Sequence, residues 1–295
     1  MPTETIGFIG LGSMGQPMVR RLVQAGYGLA VYDVNAQAVA ATAGAGICAM
    51  ASPAQTAANA AVIITMLPTS AVVEQVLTGP DGVFGALQPG AVIVEMSSGT
   101  PETTQALAAQ ARERNAQLVD APVSGGVPRA VTGELSIMFG GSEDALTHVK
   151  PVLLAMGNSV VRTGDVGTAH AMKALNNLVS AGGFLIGVEA LALGKRFGLA
   201  PDIMVDIFNA STGMNNSTQK KFKQFVLSGK YNSGFGLDLM VKDLSIALEL
   251  DTHDTAEFSR HCLKIWRAAG ESLGRGADHT EMGRYVSQRC KVPFQ

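Results

Sequence analysis

Apolar positions along this chain follow two different periods. Up to about residue 164, short apolar runs alternate with stretches of helical spacing, and beyond that point helical spacing takes over. The short runs are Ile6 to Ile9, Leu29 to Tyr32, Val62 to Leu67 (ending at Pro68), Ala91 to Glu95, Gln117 to Asp120, Leu135 to Phe139 and Ser159 to Arg162. Each reads as a strand. Between them lie the helical patterns of Met18, Leu22 and Val23, of Ala36 to Ala43, of a helix opened by Ser52-Pro53, of Ser70 to Leu77, of Pro101 to Asn115 and of Glu143 to Ala155. Strand and helix in strict alternation predict an α/β unit, a doubly wound Rossmann sheet, over residues 1–164.

Residues 165–295 predict an all-α domain. Thr168 to Phe197 reads as one helix of unusual length, and Gly182, Gly183 and Gly187 within it would let another helix approach closely. Further helices are expected at Pro201 to Asn209, Gln219 to Leu227, Leu237 to Leu250, Ser259 to Ala269 and Glu281 to Gln288. The long helix then joins the two domains.

Composition narrows the function. With 295 residues, 47% apolar and 16% charged, the chain can bury two cores. A net charge of −2 leaves no field for nucleic acid or an anionic membrane, and Lys220, Lys221 and Lys223 are expected to be a solvated helix face. Cys48, Cys262 and Cys290 suggest neither disulfides nor zinc. The runs Ala57 to Leu67 and Leu178 to Val188 are too short to span a bilayer, so no membrane partner and a cytoplasmic location are expected.

The first strand opens into Gly10-Leu11-Gly12-Ser13-Met14-Gly15. A bare G-x-G-x-x-G is common in glycine-rich chains. Here a strand precedes it, a helix follows it, and Asp33 ends the next strand, which is the arrangement dinucleotide binding requires. Gly10 permits the sharp turn, Gly12 gives close backbone approach to a pyrophosphate, and Gly15 allows tight helix packing. The helix N-terminus favours phosphate. The Asp33 carboxylate can accept both ribose hydroxyls and repels a 2′-phosphate, so NAD is favoured over NADP, although Arg20 and Arg21 stand nearby.

Four other stretches carry candidate chemistry. Lys173 lies in His170-Ala171-Met172-Lys173-Ala174-Leu175-Asn176-Asn177, with Asn177 one turn away on the same face. Desolvation among such neighbours moves a lysine toward proton transfer at neutral pH; a lysine snorkelling from a helix end is the alternative. Asp120-Ala121-Pro122-Val123-Ser124-Gly125-Gly126 follows a strand and offers a hydroxyl and backbone N–H groups to a carboxylate, or is a plain turn. Lys242 beside Asp243 would ordinarily be a surface pair. Ser97-Ser98-Gly99 could touch a nicotinamide or substrate, or merely cap the helix opening at Pro101.

In this order and at these distances, the motifs at Gly7 to Met18, Asp120 to Gly126, Gly164 to Asn177 and Lys242-Asp243-Leu244 resemble the β-hydroxyacid dehydrogenase family, along nearly the whole chain. The resemblance implies hydride transfer between nicotinamide and the 3-carbon of a short 3-hydroxy acid, with Lys173 as general acid and base. It implies that Ser124, Gly125, Gly126 and Asn177 hold the substrate carboxylate, that Lys242 lines the cofactor and substrate cleft, and that Leu11, Met14, Leu67, Pro68 and Ser98 contact the cofactor. It implies no metal, and a homodimer or homotetramer. Asn176-Asn177 and Asn209-Ala210-Ser211-Thr212-Gly213 are similar to the 3-hydroxyisobutyrate dehydrogenase subgroup. A semialdehyde reductase of tartronate, succinate or sulfolactaldehyde type, a 6-phosphogluconate dehydrogenase relative and a non-catalytic NAD-binding module are the alternatives.

Overall fold

Strands buried on both faces need apolar residues at every position, and the first half of the chain supplies them. The computed structural model describes residues 5–294. It folds as two compact units, one running to Lys173 and one from Ala174 onward.

In the first unit the chain runs β1 (Thr5–Ile9), α1 (Gly15–Gln24), β2 (Gly28–Tyr32), α2 (Ala36–Thr42), β3 (Ile47–Ala49), α3 (Pro53–Ala57), β4 (Val62–Thr65), α4 (Ser70–Thr78), β5 (Val92–Glu95), α5 (Pro101–Arg112) and β6 (Gln117–Asp120). The strands pair in parallel in the order β3-β2-β1-β4-β5-β6, the doubly wound dinucleotide-binding order. Register assigns successive residues to opposite faces. Phe8, Ile64 and Val94 enter one core with Met18 and Leu22 of α1, while Ile9, Ile63 and Ile93 enter another with Leu77 and Leu107. Burial of a side chain the size of Phe8 contributes about 1.5–3 kcal/mol by transfer from water.

The sheet then changes direction. β7 (Val123–Ser124), α6 (Gly126–Thr132), β8 (Leu135–Gly140), α7 (Glu143–Met156) and β9 (Gly157–Gly164) follow. Both β6 and β7 pair antiparallel with β8, through Asp120↔Gly140 and Val123↔Ile137 in one continuous register, and β9 lies parallel to β8. β3 and β7 are too short to show a period and are absent from the sequence reading.

α8 (Thr168–Phe197) has the limits its sequence predicts. An 18-residue stretch within it has mean hydropathy 1.5, so by length and composition it could cross a membrane, which the shorter runs considered in the sequence do not show. In the second unit Phe184, Val188 and Leu191 of this helix enter a core with Leu244, Trp266 and Met282. The remaining helices are α9 (Pro201–Ala210), α10 (Asn216–Lys220), α11 (Leu237–Glu249), α12 (Glu257–Leu273) and α13 (Met282–Cys290). The helix expected at Gln219 to Leu227 is instead α10, opened by a capping box between Asn215 and Thr218, followed by a wider π-helical turn at Phe222–Leu227.

That turn places Phe222 against Gly187, where a Cβ would come within 2.6 Å of the ring. Gly187 thus makes room for an aromatic ring rather than for a second helix. Lys221 also departs from the solvated face expected of it. It is half-buried, with its ammonium 5.9 Å from the Phe184 ring centroid.

Candidate active site

β1 and β4 are neighbours from which the chain departs in opposite directions along the sheet, and the turns after their carboxyl ends meet. Gly10 follows β1 with φ +104°, and a Cβ there would overlap the Met66 carbonyl. Only glycine fits. A Cβ on Gly15 would overlap the Gly10 carbonyl, so α1 starts directly on the turn. At Gly12 a Cβ would meet nothing within 4 Å, so no protein atom demands glycine there. An open backbone is what a pyrophosphate needs.

Asp33, just past β2, reaches the same turn. Its carboxylate accepts the Leu11 N–H at 2.6 Å and the Asn35 N–H at 2.7 Å, which fixes it while leaving further lone pairs for ribose hydroxyls. Beside it lies a cleft of about 680 Å³ whose lining includes Gly12, Ser13, Arg20, Arg21 and Asn35. Arg21 donates to Gln24 and packs on Gly133; Arg20 is exposed at the cleft. Glycine turn, carboxylate and cleft together fit an adenine dinucleotide.

The loops after β4 and β5 are tied to each other. Leu67 N–H donates to Ser97 Oγ at 2.8 Å, and Thr100 N–H to Ser70 Oγ at 2.9 Å. Leu67, Pro68 and Ser98 therefore stand on one braced edge, and the buried hydroxyl that braces it, Ser97, is the neighbour of the serine singled out from the sequence.

Two carboxylates end β5 and β6. Glu95 and Asp120 are directly paired in register and both are buried. Asp120 accepts the backbone N–H groups of Gly167 at 2.7 Å and His170 at 2.8 Å, capping the start of α8. His170, 1% exposed, puts Nε2 at 2.8 Å from Glu95 and Nδ1 at 2.8 Å from Thr104 Oγ1. Burial works to raise the Glu95 carboxyl, but the His170 charge and hydrogen bonds from His170 and Ser97 hold it below the ordinary carboxylate range. For His170 burial works downward, and the charge and hydrogen bond of Glu95, the charge of Asp120 and the Ser97 carbonyl lift it above the usual histidine value. At Asp120 burial prevails over the His170 charge and the N–H donors, leaving its carboxyl raised.

Ser124, Gly125 and Gly126 also follow the end of β6, with φ +132° at Gly125 and +66° at Gly126. The stem of Arg129 covers Gly125, where a Cβ would stand 2.6 Å from Cδ. The first unit thus assembles at one sheet edge the glycine turn, Asp33, the Leu67 and Ser98 loops, Ser124 to Gly126 and the start of α8 with Lys173.

Lys173 is 9% exposed and Asn177, one turn on, is 7% exposed. In the second unit Asn177 Nδ2 donates to Asp243 Oδ2 at 2.5 Å, and Lys242 Nζ lies 3.6 Å from Asp243 Oδ1. Lys242–Asp243 is therefore no ordinary surface pair, because Asp243 is buried. Sequence reasoning assigned no role to Asp243, Glu95 or His170. For Glu95 and His170 the one signal is an ionisable residue between apolar neighbours, Val94 and Met96 for the first and Ala169 and Ala171 for the second.

Two family models match the chain: the NAD binding domain of 6-phosphogluconate dehydrogenase over residues 5–164, and the NAD-binding domain of NADP-dependent 3-hydroxyisobutyrate dehydrogenase over residues 167–286. The chain is 41% identical over 244 residues to 2-(hydroxymethyl)glutarate dehydrogenase of Eubacterium barkeri, covering 83% of this chain and 81% of the relative. It is 38% identical over 253 residues to human mitochondrial 3-hydroxyisobutyrate dehydrogenase, covering 84% and 75%. Among solved structures, Mycobacterium tuberculosis 3-hydroxyisobutyrate dehydrogenase with L-serine matches with TM-score 0.88 at 30% identity, over 96% of this chain and 99% of that one.

Proposed function

We propose that this chain, which belongs to the β-hydroxyacid dehydrogenase family of NAD-dependent oxidoreductases acting on CH–OH, oxidises a short 3-hydroxy acid of the 3-hydroxyisobutyrate type. The observation that carries this reading is Lys173, buried on α8 with Asn177 one turn further on. The acids named for the relatives, 3-hydroxyisobutyrate and 2-(hydroxymethyl)glutarate, share with L-serine a carboxylate, a substituted carbon and a terminal CH2OH. A site for that skeleton needs an anion cradle and a proton-transfer group, and the chain has residues for each.

Bound NAD supplies the hydride acceptor in oxidation, and its reduced form the donor in reduction. Gly10, Leu11, Gly12, Met14 and Gly15 would hold its phosphates, Asp33 its ribose, and Leu67, Pro68, Ser98 and Lys242 its remaining length. Ser124, Gly125 and Gly126 present a hydroxyl and backbone N–H groups to the substrate carboxylate, and Asn177 orients the reacting carbon. Neutral Lys173 takes the hydroxyl proton in oxidation, and its ammonium returns it to the carbonyl oxygen in reduction. The supporting experiment follows NADH absorbance with 3-hydroxyisobutyrate, 2-(hydroxymethyl)glutarate, L-serine, glycerate and 4-hydroxybutyrate, and with the matching semialdehydes in reverse. Turnover of 4-hydroxybutyrate alone would overturn the 3-hydroxy assignment.

A second reading is favoured by Arg129. Its stem packs on Gly125 and the residue is exposed, which suits an acid whose substituent carries a second carboxylate. In that case Arg129→Gln raises KM for 2-(hydroxymethyl)glutarate and leaves KM for 3-hydroxyisobutyrate unchanged.

The reading extends to assembly as a homodimer or homotetramer. α8 exposes Val179 (76%), Ile186 (54%) and Leu193 (67%) at heptad spacing, an apolar stripe of the kind a second copy covers. Light scattering should give a mass above 30.6 kDa, falling toward that value in Ile186→Glu. A monomeric wild type refutes the assembly.

A further inference from the structure

The hydrogen bonds around His170 determine its protonation state. The Thr104 hydroxyl lies 2.9 Å from the Thr100 carbonyl, to which it donates, and 2.8 Å from His170 Nδ1, from which it then accepts. Nε2 faces the Glu95 carboxylate at 2.8 Å and the Ser97 carbonyl at 3.1 Å, both acceptors. With that arrangement each ring nitrogen carries a proton, and the raised titration of His170 agrees with an imidazolium. Gly99 closes over it, since a Cβ there would stand 3.0 Å from Cε1.

This cation sits at the start of α8, three residues before Lys173 and on the same helix face. Its backbone N–H and that of Gly167 are held by Asp120, and its ring by Glu95, Ser97 and Thr104. Four separate segments thus converge on one helical turn. Helix ends ordinarily fray, and this one is pinned.

We propose that His170 is a positioning residue for Lys173: as an imidazolium bound to Glu95, Ser97 and Thr104, it locks the first turn of α8 to the ends of β5 and β6 and so sets where the Lys173 amine is presented. The inference rests on the reading of Lys173 as the proton-transfer group. The raised titration of His170 and the lowered one of Glu95 agree with it. The groups facing the ring are Glu95 from β5, Thr104 from α5, and Ser97 and Gly99 from the loop between them. Asp120 from β6 holds the backbone, and Lys173 follows on α8.

The test uses the full-length protein and whichever acid of the panel above it oxidises fastest. His170→Gln keeps a donor for Glu95 but removes the cation. Displacement of the amine by about 1 Å costs about a hundredfold in rate, so kcat should fall ten- to a hundredfold while the dissociation constant of NADH, read by fluorescence, stays within twofold. Loss of a positive charge beside Lys173 favours its ammonium, so the alkaline rise of the oxidation rate should move to higher pH by at least about half a unit. A merely structural loss would leave that rise in place. In protein labelled with 15N-histidine, the wild type should show at pH 7 an imidazolium with both ring protons, absent from His170→Gln.

Wild-type kcat and an unmoved pH rise in His170→Gln, or a neutral ring at pH 7, overturn the proposal. Lys173→Ala run beside it separates the two claims. If that variant is inactive while His170→Gln behaves as wild type, positioning alone fails; if Lys173→Ala turns over normally, the proton-transfer reading falls and this inference with it. Should His170→Gln not fold, Thr104→Val, which removes the Nδ1 acceptor together with the hydroxyl's bond to the Thr100 carbonyl, decides by the same kcat and NADH measurements.

Discussion

Asp243 accepts a 2.5 Å hydrogen bond from the side-chain amide of Asn177 and is itself buried, with Lys242 as its cationic neighbour. The bond fixes the orientation of the Asn177 amide, whose Oδ1 accepts from Asn176 Nδ2 at 3.3 Å. Replacing Asp243 by Ala strands a buried amide, at a cost of about 1–3 kcal/mol. Denaturant unfolding should show that loss, and KM for the acid substrate should rise as Asn177 loses its orientation. An unchanged KM would detach Asn177 from substrate binding.

Removal of the amine is the sharpest test of the chemistry. Lys173→Ala should lower kcat by about a hundred- to ten-thousandfold, the range that a positioned acid and base supplies. NADH binding, measured by fluorescence, should persist. A rate equal to wild type would remove Lys173 from the reaction.

Asp33 braces Leu11 and Asn35, two residues that line the cleft. Asp33→Ser removes a charged acceptor, so KM for NAD should rise about ten- to a hundredfold. The preference for NAD over NADP should narrow, because the repulsion of a 2′-phosphate goes with the carboxylate while Arg20 stays. Kinetics with both cofactors check it, and an unaltered ratio would show that Asp33 does not discriminate.

His279 makes the second unit acid-sensitive. Burial, then the charge of Lys221, push it down to about 4 against the pull of Asp278 and the Phe235 carbonyl. A histidine lowered on folding contributes stability that is present above its unfolded value near 6.5 and lost as pH falls through 4. The loss is on the order of 3 kcal/mol over that window. Trp266, the single tryptophan and buried in that unit, reports it by fluorescence. His279→Leu should flatten the acid slope; a slope that survives assigns it elsewhere.

Much of this architecture was legible in the residue pattern because both periods are strong. The strands of the parallel sheet are near-continuous apolar runs, and α8 keeps helical spacing without a proline from Thr168 to Phe197. What escaped was short or non-local. β3 and β7 lack the length to show alternation, and the wide turn at Phe222 depends on the space that Gly187 leaves for its ring. Asp243 looked like half of a surface pair because nothing near it in sequence announces Asn177. The Glu95, Asp120 and His170 cluster is drawn from two strand ends and a helix, so no spacing rule could connect it.

α8 also imposes a phase on the protein. Lys173 and Asn177 are separated by about one turn of uninterrupted helix, so a single residue inserted between them would turn Asn177 by about 100° away from the helix face that carries Lys173 and advance it by about 1.5 Å. Substitutions at the exposed positions of this stretch are tolerable in a way that a change of length is not. Along this rod the chain can vary its letters but not its count.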